Sequence, residues 1–153
     1  MSSDASPVDL AALVHQAPDA MIFADLQGVI RTWNAAAERI FGHAATTAVG
    51  QSLDIIIPEQ LREQHWAGYD RALADGDTKY KGQSLPTKSM KADGSQFYVE
   101  LSFAIIHGSD GAVVGALAHA RDITERFERD RAMRRRLREL EASEQAAADQ
   151  PGV

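Results

Sequence analysis

The chain has 153 residues, of which 44% are hydrophobic and 25% charged, and a net charge of −6. That mixture suits one globular domain with a real core, and the acidic balance argues against a nucleic-acid-binding module. There is no cysteine, which excludes disulfides, zinc–thiolate sites and iron–sulfur ligation; no apolar run reaches the ~20 residues that span a bilayer.

Residues 1–6 read as a disordered leader without the basic and apolar parts of a signal peptide, so the expected location is the cytoplasm. From Pro7 to Gln16, Val8, Leu10, Ala11, Leu13 and Val14 form an apolar helical stripe, with Ser6 as N-cap and Pro7 at the first helical position. Pro18 ends it. Asp19–Asp25 and Val29–Trp33 read as strands joined by a Leu26-Gln27-Gly28 hairpin. Asn34 caps a helix over Ala35–Phe41, and Gly42 ends that helix. Short turns follow through residue 57. Pro58 opens a longer helix to Ala74, closed by Asp75-Gly76. On it Leu61, His65, Gly68, Tyr69, Ala72 and Leu73 share one face. Three strands follow, over roughly 79–91, 95–107 and 112–122, with turns at Asp93-Gly94 and Ser109-Asp110-Gly111. Phe97, Val99, Leu101, Phe103 and Ile105 alternate with polar neighbours, the pattern of a strand with one buried face.

Asp122 and Glu125, at capping-box spacing, begin a charged helix to about Ala148. Met133, Leu137 and Leu140 give it a partial seam, and Arg134-Arg135-Arg136 reads as its solvated face. Residues 149–153 read as a frayed tail. Two strands, short helices, a longer helix and three antiparallel strands make an α+β order, with helices gathered on one face of the sheet. The expected division is 1–17 leader and cap helix, 18–123 globular domain, 124–148 C-terminal helix and 149–153 disordered tail.

Three words in this order carry a resemblance. They are Asp25-x-x-Gly28-x-Ile30-x-x-Trp33-Asn34-x-Ala36-Ala37-Glu38-x-x-Phe41-Gly42, then Lys91-x-Asp93-Gly94-Ser95, then Arg121-Asp122-Ile123-Thr124-Glu125-Arg126. Together they resemble PAS domains over residues 15–126. The resemblance implies a five-stranded antiparallel sheet closing a ligand pocket, and a sensory or interaction role rather than catalysis, with 18–123 as the sensor domain and 124–148 as a signalling and dimerisation helix. The absent cysteine removes the cysteinyl–flavin photochemistry of the light-sensing relatives.

The segment Pro58-Glu59-x-Leu61-Arg62-x-x-His65-x-x-Gly68-Tyr69-x-Arg71 is similar to the haem helix of oxygen-sensing PAS proteins, the rhizobial oxygen-sensor kinases and direct-oxygen-sensor phosphodiesterases. Their proximal histidine falls on His65, which makes it the metal ligand the resemblance implies. Arg71 falls where those kinases keep an arginine near a haem propionate, and Leu101 and Phe103 fall on the distal wall. Two positions depart from the pattern. Leu85 stands where the oxygen sensors have an arginine that can reach bound oxygen, and Gln83 stands where the phosphodiesterases have a methionine ligand. Gln83 and Tyr80 remain as hydrogen-bond donors, and Met90 as a remote distal ligand. The resemblance therefore implies haem b held by His65, with Tyr69, Arg71, Tyr80, Gln83, Leu85, Leu101 and Phe103 around it. The expected ligand is a diatomic gas, or else the domain responds to redox state. Expected partners are a second copy, as a homodimer, and an output domain or signalling protein, with neither nucleic acid nor membrane.

A lone histidine on an apolar face is also the mark of a hydrogen-bonded core residue. A haem-free module, holding a small organic ligand or serving as a dimerisation adaptor, is the alternative. His15, His43, His107 and His119 are weaker candidates, and none has zinc-site spacing. Trp66 is expected to point away from His65, and Glu38 and Arg62 to pair. No hydrolase, P-loop or kinase word occurs, so an enzyme is not expected.

Overall fold

A computed structural model describes residues 7–79 and 82–151. The leader at 1–6, its Ser6 cap, Tyr80 and the last two residues of the tail lie outside them. The chain divides into one unit up to Asp122 and a second from Ile123 onward.

The first helix, α1, covers Leu10–Gln16, shorter than the apolar stripe suggests. The Asp9 carboxylate accepts a hydrogen bond from the Ala12 N–H at 2.6 Å and sets its start. A side-chain acceptor there satisfies an amide that the first turn leaves without a partner. Strands β1 (Ala20–Asp25) and β2 (Ile30–Trp33) form the first hairpin. Asn34 caps α2 (Ala35–Phe41), and Gly42 closes it in the left-handed conformation. A single turn, α3 (Ala45–Ala48), and two short 3₁₀ segments lead to α4 (Arg62–Asp75). The helix expected from Pro58 thus opens with a 3₁₀ turn at Glu59–Leu61. Strands β3 (Leu85–Met90), β4 (Gln96–His107) and β5 (Val113–Asp122) complete the unit. β3 begins later than residue 79 because Gly82, at φ 66°, breaks the extended run.

The five strands lie in the order β2-β1-β5-β4-β3, with every neighbouring pair antiparallel. β3 is therefore an edge, where Pro86 costs no ladder hydrogen bond on its open side. Alternation in β4 sends Phe97 and Val99 into the core. There Phe97 meets Phe41 edge-on at 5.5 Å between ring centroids, and Phe41 meets Trp33 at 5.6 Å. Further along, Leu101, Phe103 and Ile105 lie opposite Ala120, Ala118 and Ala116 of β5. Ala116, opposite Ile105, leaves space above the sheet, and that space becomes part of the cleft described below.

Gly28 in the β1–β2 turn has φ 76°, and a Cβ built there would collide with the Trp66 indole. Both features demand glycine. Gly28→Ala is expected to cost about 2 kcal/mol or more from the positive φ and the displaced ring together. Gly50→Ala is the control, since Gly50 has φ 95° with nothing within 4 Å of an added Cβ. Urea denaturation of the two variants checks the difference.

The second unit is the helix α5, Thr124–Ala148. Its N-cap residue is Ile123, and no side chain caps it, so the expected Asp122–Glu125 box does not form. Glu125 instead pairs with Arg129 at 3.0 Å one turn on. No helix among the described residues is long and apolar enough to cross a membrane.

Candidate functional site

A cleft of about 320 Å³ opens between α4 and the alanine-rich part of the sheet. From α4 it is lined by Gln64, His65, Gly68, Tyr69, Arg71, Ala72 and Asp75. Asp77, Thr78 and Lys79 line it beyond the helix, and Phe103, Ile105 and Ala116 form the sheet wall. The three- and four-residue steps of His65, Gly68, Tyr69 and Ala72 bring them to one helix face. Gly68 keeps that face low where a larger side chain would fill it.

His65 is half-buried, and its Nδ1 is enclosed without a hydrogen-bond partner among the described residues. Burial lowers its pKa below the ordinary 6.5, and the Asp54 carboxylate opposes that shift. The imidazole is therefore neutral at pH 7, the form that ligates metals. A buried nitrogen without a partner is costly unless a ligand or solvent satisfies it.

Trp66 does not turn away from His65. The two rings lie edge to face at 4.8 Å, and the Trp66 Nε1–H donates to Asp54 Oδ1 at 2.8 Å. The hydrogen bond to Asp54 and the seat over Gly28 swing the indole back along the helix, against the simple hundred-degree rule. Tyr69 follows at 5.8 Å from the His65 ring, and its hydroxyl donates to the Asp25 carbonyl at 2.6 Å. α4 is thus pinned to the β1–β2 hairpin by Trp66 and Tyr69, and His65 is held between those pins and the sheet.

Burial and then the carboxylates of Asp25 and Asp70 push the Tyr69 hydroxyl up to about 12. A folded pKa above the ordinary 10.0 means the domain keeps this contribution below about pH 10 and loses it as pH rises toward about 12. Tyr69→Phe is expected to flatten that alkaline loss in a thermal-melt series.

Of the residues expected around a cofactor, His65, Tyr69, Arg71 and Phe103 line the cleft. Leu101 packs on the core next to it. Leu85 pairs with Leu101 at the start of β3, and Gln83 is exposed ahead of that strand; neither lines the cleft. Met90 sits at the far end of β3 opposite Gln96, and His119 is exposed opposite Ser102. The Glu38–Arg62 pair does not form. Glu38 accepts from the Ala45 N–H at 2.9 Å, and Arg62 donates to the Ile57 carbonyl at 3.0 Å. Each side chain reaches a nearer backbone partner first. Ile105, Ala116 and Thr78 were missed; strand parity with Phe103 signals Ile105, whereas Thr78 has no local signature.

Among the described residues no cluster of three or more His, Asp or Glu could hold an ion. A metal at His65 would therefore take its remaining ligands from a macrocycle. The residues fit that demand. A half-buried neutral imidazole and an apolar wall of Phe103, Ile105 and Ala116 line the same cleft, which also carries the Arg71 and Lys79 cations and the Asp75 and Asp77 carboxylates.

A twisted antiparallel sheet closing a ligand-sized cleft against one helix, with an exposed helix leaving the last strand, defines a sensory α+β domain. The profile of the PAS fold matches residues 14–128, and the chain belongs to the PAS family. It is 32% identical over 117 residues to Sensor protein FixL of Bradyrhizobium diazoefficiens, a match covering 76% of this chain and 23% of that protein. The chain thus spans under a quarter of that relative's length. The crystal structure of a PAS domain from Colwellia psychrerythraea superposes with a TM-score of 0.65 at 27% identity, covering 75% of this chain and 94% of that one. An RNA-binding Light-Oxygen-Voltage receptor shares the fold at a TM-score of 0.66 and 23% identity, covering 88% of this chain and 40% of that one.

Proposed function

We propose that this PAS sensory domain binds haem b through His65, senses a diatomic gas or redox state, and signals through α5 as a homodimer, without being an enzyme itself. The observation that carries the reading is the half-buried, neutral His65 imidazole on the wall of the cleft, its Nδ1 enclosed without a partner among the described residues. The likeness of its helix to that of the oxygen-sensing PAS proteins supports it. So does the 32% identity to Sensor protein FixL.

When bound, haem would supply an iron centre able to take a small ligand. His65 would hold the group from α4, and Arg71 and Lys79 would neutralise its carboxylates. Phe103, Ile105 and Ala116 would exclude water. The sheet wall offers no charged donor, so oxygen is expected to bind weakly relative to carbon monoxide.

The route outward is covalent and short. Phe103 and Ile105 lie opposite Ala118 and Ala116 in the β4–β5 ladder. β5 ends at Asp122, two residues before α5 starts at Thr124. A shift of the cleft wall therefore reaches the helix start along one strand, provided ligand favours one of two states.

A second reading has its own support. At about 320 Å³ the cleft is near the lower bound of the roughly 300–1,000 Å³ typical of ligand sites. A small organic ligand fills that volume without widening it. The absorption spectrum of the protein, as purified and during haem titration, separates the two. A Soret band saturating at one haem per chain supports the gas sensor. A colourless protein that titrates without saturation overturns it and leaves the organic ligand.

A further inference from the structure

α5 carries the largest exposed apolar side chains of its unit, with Met133 69%, Leu137 57% and Leu140 46% exposed. They recur at four- and three-residue steps, and Asp130 and Glu144 extend the same seam. Charge is divided along this helix. Seven arginines fall between Arg126 and Arg138, against the carboxylates of Glu128 and Asp130. From Glu139 to Asp149 there are only carboxylates, at the end where helix carbonyls favour cations.

We propose that α5 pairs antiparallel with α5 of a second copy, its basic half lying against the partner's acidic half. This rests on the α5 pairing of the proposed function and is independent of what fills the cleft. A parallel, in-register pair would set Asp130 against Asp130 and Glu144 against Glu144 across the seam and bring Arg129 beside Arg134 at the flank; its one favourable flank pair, Arg136 with Glu141, would compete with the Arg136–Glu139 pair already formed within the chain. Reversing one helix, so that Leu137 packs on Leu140 of the other copy, removes all three clashes. It also brings Arg134 beside Glu141 at two symmetric places. Within one chain neither of those side chains has an ion-pair partner among the described residues, whereas Arg129 and Arg136 pair with Glu125 and Glu139.

The cysteine-free chain allows a direct test by oxidative crosslinking of the 153-residue chain. A mixture of Met133→Cys and Glu144→Cys is expected to form the mixed disulfide, and Glu144→Cys alone to stay unlinked. Self-linking of Glu144→Cys as readily as the mixture overturns the antiparallel order while leaving an α5 dimer in place. A monomeric parent chain in sedimentation at high micromolar concentration overturns both. Charge reversal gives a second measurement that leaves the seam intact. Arg134→Glu is expected to weaken the dimer about fivefold, and adding Glu141→Arg to restore it; failure to restore also overturns the proposal.

Discussion

His65→Ala is expected to abolish the Soret band and reduce haem affinity by at least about a hundredfold, since it removes the one imidazole among the described residues that line the cleft. The substitution also removes a half-buried ring from between Trp66 and the sheet, so loss of colour by itself would not separate ligation from packing. Free imidazole separates them, because it can enter the space left by the side chain and supply the missing nitrogen. Recovery of the band with imidazole is the expected result. A variant that keeps the parent spectrum would show that iron sits elsewhere. The haem-free protein gives an independent check through pH. His65 has a folded pKa below its ordinary value of 6.5, so the unfolded chain takes up the proton first. The stability of the apo domain is therefore expected to fall as pH drops below about 6.5, and His65→Ala to lack that step in a melt series.

Asn34→Ala is expected to be the most destabilising single substitution away from the cleft. Asn34 is buried and satisfied on every side. Its Oδ1 accepts from the Met21 and Ala37 N–H groups at 2.9 and 3.0 Å, and its Nδ2 donates to the Val14 and Asp19 carbonyls at 2.9 and 3.1 Å. One amide thus caps α2, fixes the start of β1 and ties down the end of α1. Truncation removes this partner from the Met21 and Ala37 amides and the Asp19 carbonyl, while the Val14 carbonyl keeps the Ala17 N–H, and each buried group left unsatisfied costs about 1–3 kcal/mol. A loss of about 4 kcal/mol is expected, a large part of the roughly 5–15 kcal/mol net stability of a small domain. Asn34→Asp keeps the accepting half and sets a carboxylate against the two carbonyls, so it should also destabilise. Chemical denaturation measures both, and a midpoint unchanged from the parent for Asn34→Ala would refute the hub role.

The reach of sequence reasoning follows the range of the physics. Asn34 as a cap, Gly42 and Gly76 as helix stops, and the alternation in β4 are consequences of local geometry, and all are present as read. His65 and Tyr69 could be assigned to one face because helical spacing is fixed. Where two chemically adequate partners competed, spacing could not decide. Asp9 caps α1, a role its place inside the apolar stripe did not signal, and Glu38 and Arg62 take backbone partners instead of each other.

By itself the sequence determined the element order, the buried face of β4 and the placing of His65 on one helix face with Tyr69, since these depend on residue type and period. Only the tertiary structure decided which strands neighbour one another, that β5 lays Ala116 beneath α4 to open a cleft, and that Trp66 folds back onto Gly28 beside His65. Those features arise from contacts between residues far apart in the chain, where packing volume and the nearest available hydrogen-bond partner outweigh local preference.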